Sequence, residues 1–299
     1  MSTPTPLQAG ATADAKADTK ADAKTAATIG ATIDARADAR FWHAVVCPTL
    51  AVAGFQLGRL LSRQRLLLAT LGVVFPAAVM LAVRRTAAEG LDRDLAVTMI
   101  YALVPEAVCM LGLLVTMCPA VADELERGTW IHVAVRPGGR RALLVGTYLA
   151  AVLWTSTVAI LAALLALLVA RVPQPLPLFC MLSTLVVVST LGRAALFALP
   201  AVIMPKRALV ASVAVGLLVE YLAGFIPAVI NQATVSLRLR SLLVAWMGWQ
   251  QRLPVEMQLL IDPQPVWVQI AAVVILAAVL LLAAVKILDY RQFPPSEEI

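Results

Sequence analysis

Residues 142–170 read ALLVGTYLAAVLWTSTVAILAALLALLVA, a run without one charged side chain. As an α-helix at 1.5 Å per residue it would extend about 44 Å, more than the roughly 30 Å of bilayer hydrocarbon. Backbone polar groups in lipid must be satisfied within the segment, and a run this long exceeds any barrel strand, so it predicts a membrane-spanning helix. Arg140 and Arg141 stand in front of it and Arg171 behind. Outward from this stretch, 66–83, 95–122, 176–204, 208–231 and 266–285 are also long and apolar enough to cross, and Pro105 is expected to break the second of the six. The chain therefore reads as all-α, a polytopic membrane protein with six transmembrane helices.

Composition agrees. Of 299 residues 61% are apolar and only 14% charged, with a mean hydropathy of +0.87. Soluble domains carry roughly 25% charged residues, so soluble enzymes, nucleic-acid readers and disulfide-stapled secreted domains are excluded. Residues 1–40 hold five Lys/Arg and five Asp, leaving the whole net charge of +6 on 41–299. There the basic residues cluster at the ends of apolar runs, where they set topology and meet anionic lipid head groups; nucleic acid is not the expected partner. Cys47, Cys109, Cys118 and Cys180 form no Cys-x-x-Cys and stand near no histidine cluster, which argues against metal or redox chemistry.

The organisation divides into a tail, a membrane domain and a short end. Residues 1–40 repeat ADAK, ADTK, ADAK and ADAR, placing like charges at i, i+4; they are expected to be a disordered cytoplasmic tail, and their lack of an apolar core excludes a secretory signal. The membrane domain is expected over 41–291, followed by a short cytoplasmic tail, 292–299. Six crossings put both ends on one side. The connections on that side hold eleven Lys/Arg: Arg59, Arg63, Arg65, Arg127, Arg136, Arg140, Arg141, Lys206, Arg207, Lys286 and Arg291. The opposite connections hold seven, namely Arg84, Arg85, Arg93, Arg171, Arg238, Arg240 and Arg252. Both termini are thus expected to face the cytoplasm of a cell (plasma or inner) membrane.

Two further stretches are apolar but do not span. Between Pro48 and Arg65, apolar Leu50, Phe55, Leu57, Leu60 and Leu61 alternate at helical spacing with Gln56, Arg59, Arg63 and Arg65, which predicts an amphipathic helix on the cytoplasmic face. Between Gln232 and Pro265 the apolar core around Leu242, Trp246 and Trp249 is too short to cross and predicts an external interfacial or re-entrant element.

The connection after the second crossing is dense in charge: Asp123, Glu124, Glu126, Arg127, Gly128, Thr129, then Arg136, Pro137, Arg140 and Arg141. A short, turn-bounded, charged element at a membrane exit suits docking to a soluble protein, and equally describes a solvated loop. The run DELERGT at 123–129, with Arg136-Pro137 and Arg140 after it, resembles the cytoplasmic connection of type 2 ABC transporter permeases. An amphipathic helix, six crossings and an external element between the fifth and sixth extend the resemblance over residues 48–291. It implies a transmembrane subunit, an exporter by expectation, that forms half of a dimeric translocation path with a second permease copy or paralogue. It further implies that Asp123, Glu124, Glu126, Gly128, Thr129, Arg136 and Pro137, with the amphipathic helix, seat on a separate ABC ATPase subunit. No Gly-x-x-x-x-Gly-Lys-[Ser/Thr] phosphate cradle occurs in the sequence, so ATP and Mg are expected on that partner, with no cofactor or metal on this chain and no enzyme activity of its own.

Glu106, Arg193 and Glu220 fall inside predicted crossings, where each costs about 2.5–3.5 kcal/mol near mid-bilayer and so must face protein or water. They read as the polar lining of a path or as a structural ion pair of Arg193 with Glu106 or Glu220. Two other functions compete. An intramembrane, protease-like enzyme would place Glu and His on separate helices within the bilayer, whereas here the acids and His132 share one connection. An ion-coupled secondary transporter would use Glu106, Arg193 and Glu220, but no internal repeat accompanies them.

Overall fold

The computed structural model describes residues 47–86, 92–130, 132, 135–136, 138–222, 234–251 and 264–291. Regular structure among these residues is helical throughout, without a strand. In chain order the helices are α1 (Cys47–Leu60), α2 (Arg63–Thr86), α3 (Arg93–Glu126), α4 (Gly139–Ala170), α5 (Pro175–Ile203), α6 (Ala208–Val215), α7 (Val235–Met247) and α8 (Val266–Tyr290). Five of them, α2, α3, α4, α5 and α8, are long and apolar enough to cross a membrane. The expected fifth crossing, 208–231, is represented by α6 and the π turn Gly216–Leu222 that continues it, and its remainder lies outside the described residues. So do the tail 1–40, the segment 292–299, and residues 232–233 and 252–263 of the expected external element.

Local chemistry explains the boundaries. Pro175 opens α5 at its first turn, where a missing N–H is harmless. Thr234 caps α7 by accepting from the Leu237 amide at 3.3 Å, and Gly248 ends the helix at φ +67°. Pro105 does not break the second crossing: the backbone widens into a π turn over Ala102–Val108 and the helix continues to Glu126. A proline removes one intrahelical bond and crowds the preceding turn, and a single π turn absorbs both defects without ending the helix.

The packing is centred on α5. In its most apolar stretch 78% of the residues are buried within the chain, against 17% for α2, which sits at the periphery and turns Leu67, Leu71 and Phe75 outward. Helices α3, α4, α6, α7 and α8 all pack on α5. Apolar burial gains little between helices already in lipid, so close approach through small residues and dispersion must supply the association. Gly192 on α5 shows this: a Cβ there would come within 2.7 Å of Val235 and 3.0 Å of Val273, so α7 and α8 both close on the same bare spot. Gly146 does the same for α1, since a Cβ would meet Val52 at 2.8 Å and the Thr49 carbonyl at 2.9 Å.

Contacts between helix ends sort the bundle into two ends. At one, Arg59 of α1 reaches Asp123 of α3, Arg141 of α4 pairs with Asp289 of α8 at 2.8 Å, and Arg291 donates to the Val202 carbonyl of α5 at 2.8 Å. At the other, Arg84 of α2 donates to the Val169 carbonyl of α4 at 3.1 Å, and Arg238 of α7 donates to Gln269 of α8 at 2.9 Å.

Candidate functional site

Two polar clusters stand out, and both include α3. The first forms where α3 leaves the bundle. Arg59 projects from the last turn of α1 and divides its guanidinium between two carboxylates, Asp123 and Glu124, each at 2.8 Å. Arg65, in the first turns of α2, adds a longer contact to Asp123 at 3.6 Å. Gln56, one turn before Arg59, accepts from it at 3.2 Å and donates to Glu124 at 3.5 Å. The Thr129 hydroxyl closes the other side, hydrogen bonded to the Glu124 carboxylate. Glu124 is buried by these partners. An ionised carboxylate removed from water needs several donors, and here it has a guanidinium, an amide and a hydroxyl.

The turn that follows is held from inside. Gly128 takes φ +68°, a conformation in which a Cβ is strained, and the Trp130 side chain is buried among Leu143, Leu144 and Met117. Arg140 lies over the Trp130 ring at 5.8 Å, tying the turn to the start of α4. Of the residues expected to meet a soluble partner, Asp123 and Glu124 are thus engaged by the chain's own α1, Glu126 and Arg136 are exposed, and Pro137 lies outside the described residues. Arg127 is exposed alongside Glu126, as is Arg63 at the start of α2. What faces outward is a mixed-charge knob on a base tied to α1 and α4 by Arg59 and Arg140.

The second cluster lies at the middle of the bundle. Arg193 of α5 is wholly buried and bonds to the Glu106 carboxylate of α3 through one terminal nitrogen. That nitrogen also donates to the Ser236 hydroxyl of α7 at 3.0 Å, and the other donates to the Pro105 carbonyl at 2.6 Å and to Ser189 at 2.9 Å. Glu220, 1% exposed, approaches the Arg193 Nε at 3.6 Å and accepts from the Val235 and Ser236 amides at 3.2 and 2.9 Å and the Ser236 hydroxyl at 2.7 Å. Glu220 therefore does two jobs: it neutralises Arg193 and it caps the N-terminus of α7, whose unpaired amides and dipole attract a negative charge. Tyr101 donates to the far oxygen of Glu106 at 2.8 Å.

The three ionisable residues picked from the apolar runs of the sequence are thus one cluster, not one pair and an outlier. Its polar helpers were missed. Ser189 sits at i−4 from Arg193, a spacing visible in the sequence, but Tyr101 and Ser236 carried no signal, and the Pro105 carbonyl becomes an acceptor at the π turn. Gln56 was legible on the polar face of α1. Among the described residues no group of three or more His, Cys, Asp or Glu is placed to hold a metal ion. No family model matches the chain, and no curated protein matches it.

Proposed function

We propose that this chain is the transmembrane subunit of an ATP-driven exporter of the type 2 ABC permease kind, one half of a dimeric path driven by a separate ATPase. In this reading it has six crossings, 208–231 included, and both termini are cytoplasmic. The helix α7 is then re-entrant: its first turn lies beside Arg193, ten residues before the end of the 29-residue α5, and it runs outward from there. The observation that supports the proposal is the charged platform at one end of the bundle, in which α1 is latched by Arg59 to Asp123 and Glu124 and the adjoining turn presents Glu126, Arg127 and Arg136.

The mechanism follows from that latch. ATP and Mg do their chemistry on the partner, and closure of two ATPases pushes on the presented knob. Because α1 is tied to the exit of α3, the two move together. Glu124 and Glu106 lie 18 residues apart on α3, about 27 Å at helical rise, so a displacement at the platform reaches the Arg193 cluster along one helix. There Glu106 engages α5 and α7, and through Arg193 also Glu220, so four segments shift as a set. Transport is a two-state equilibrium biased by nucleotide through differential contact with the platform. Each carboxylate of the central cluster is already occupied by donors of the chain, which favours a mechanical tie over the ion-coupled alternative.

The test is purification of the tagged chain from its native membrane with identification of stoichiometric partners. An ATPase containing a phosphate-binding loop is expected, lost in the Glu126→Lys/Arg136→Glu variant while membrane insertion is retained. ATP hydrolysis by the isolated chain, or a native complex free of any such ATPase, would overturn the proposal.

A further inference from the structure

At the platform end of the bundle, away from the α1 latch, the ends of α5 and α8 leave an open pocket of about 460 Å³ lined by Ile203, Lys286, Ile287, Tyr290 and Arg291. Ile203 and Ile287 make it partly apolar, and Lys286 and Arg291 make it basic. The Arg291 side chain is fixed there, donating to the Val202 and Ile203 carbonyls at the end of α5. The backbone beside it is held too, since Arg140 donates to the Asp289 and Arg291 carbonyls at 3.2 and 3.4 Å.

Along α8 the exposed residues Ile275, Val279 and Leu282 continue into exposed Lys286 and Tyr290. Their spacing, four, three, four and four, keeps all five on one face of the helix. An apolar stripe thus runs down the outside of a crossing helix and ends in a lysine, a tyrosine and a pocket with an anchored arginine. That order of chemistry matches one amphipathic molecule with a chain, an interfacial zone and an anionic head.

We propose that this pocket binds the head group of an anionic phospholipid, its acyl chain lying on Ile275, Val279 and Leu282 and its phosphate between Lys286 and Arg291. Basic pockets between the ends of crossing helices attract anionic head groups, and tyrosine suits the head-group level. A free phosphate would use the cations but not the stripe. The inference rests on the chain being embedded in a membrane and on nothing about the ATPase, so its failure would leave the transporter reading in place.

The experiment is native mass spectrometry of the full chain in neutral detergent, titrated with phosphatidylglycerol and phosphatidylcholine of matched chains. Preferential retention of phosphatidylglycerol is expected. Lys286→Gln should reduce that preference about fivefold, the factor equivalent to ~1 kcal/mol for one basic residue at a lipid surface. Lys286→Arg should restore it, and Arg85→Gln, which removes an exposed cation at the opposite end, should leave it unchanged. Inorganic phosphate and water-soluble glycerophosphoglycerol should not displace the bound lipid. Equal retention of the two lipids, an unchanged preference in Lys286→Gln, or displacement by inorganic phosphate would each overturn the assignment.

Discussion

Replacing Arg193 by Leu would leave Glu106 and Glu220 as buried carboxylates without their cation. Removing one partner of a buried ion pair costs about 3–5 kcal/mol, mostly because the other charge remains unpaired, so Arg193→Leu is expected to lower the thermal unfolding midpoint in detergent markedly. The combined Glu106→Gln/Arg193→Leu/Glu220→Gln variant removes the charges together and should recover much of that loss. A triple variant as unstable as the single one would show that the cluster is not held by charge. Glu220→Ala tests its other role. It strips the Val235 and Ser236 amides of their acceptor at the start of α7, and hydrogen exchange at that first turn should rise while exchange in the middle of α4 stays unchanged. At the platform, Arg59→Ala leaves the buried Glu124 with only Gln56 and Thr129, a loss of about 1.5–3 kcal/mol for a hydrogen bond to a charged group.

At the scale of elements, α1 is the piece whose attachment matters, and Gly146 sets how closely it sits. Gly146→Val puts branched carbons where Val52 and the Thr49 carbonyl already lie, and forcing extra atoms into such a contact costs about 1–3 kcal/mol. The expected result is release of α1 from α4, read as faster hydrogen exchange along α1 in Gly146→Val with exchange in the middle of α5 unchanged. Unchanged exchange along α1 with Val at 146 would mean that α1 is held elsewhere. This contact was not legible in the sequence, because a glycine in an apolar run carries no sign of which helix will approach it. The long runs were legible: 142–170 needs no tertiary information to be a helix, and α4 begins only three residues earlier, at Gly139. Pro105 was misread as a break because backbone repair by a π turn, and the donation of Arg193 and Ser189 to its carbonyl, depend on a neighbouring helix. Asp123 and Glu124 drew attention for their density of charge, but their local pattern could not reveal that Arg59, more than sixty residues away, would bind them.

For the whole molecule, the proposed function requires that the bundle have one orientation in the membrane and one driven end. Orientation is checked with Tyr290→Cys and Trp267→Cys, two exposed sites at opposite ends of α8. Impermeant thiol reagents should reach position 267 from outside and position 290 only after the cytoplasmic face is opened; the reverse would invert the topology. The driven end is the central claim, and site-specific photocross-linking addresses it most directly. A photoreactive residue placed at Glu126 or Arg136 in the native membrane should give an adduct with an ATPase carrying a phosphate-binding loop, with a yield that changes between ATP-bound and nucleotide-free conditions, while the same residue at Trp267 gives none. Absence of any such adduct from both platform positions, with the chain correctly inserted, would contradict the account.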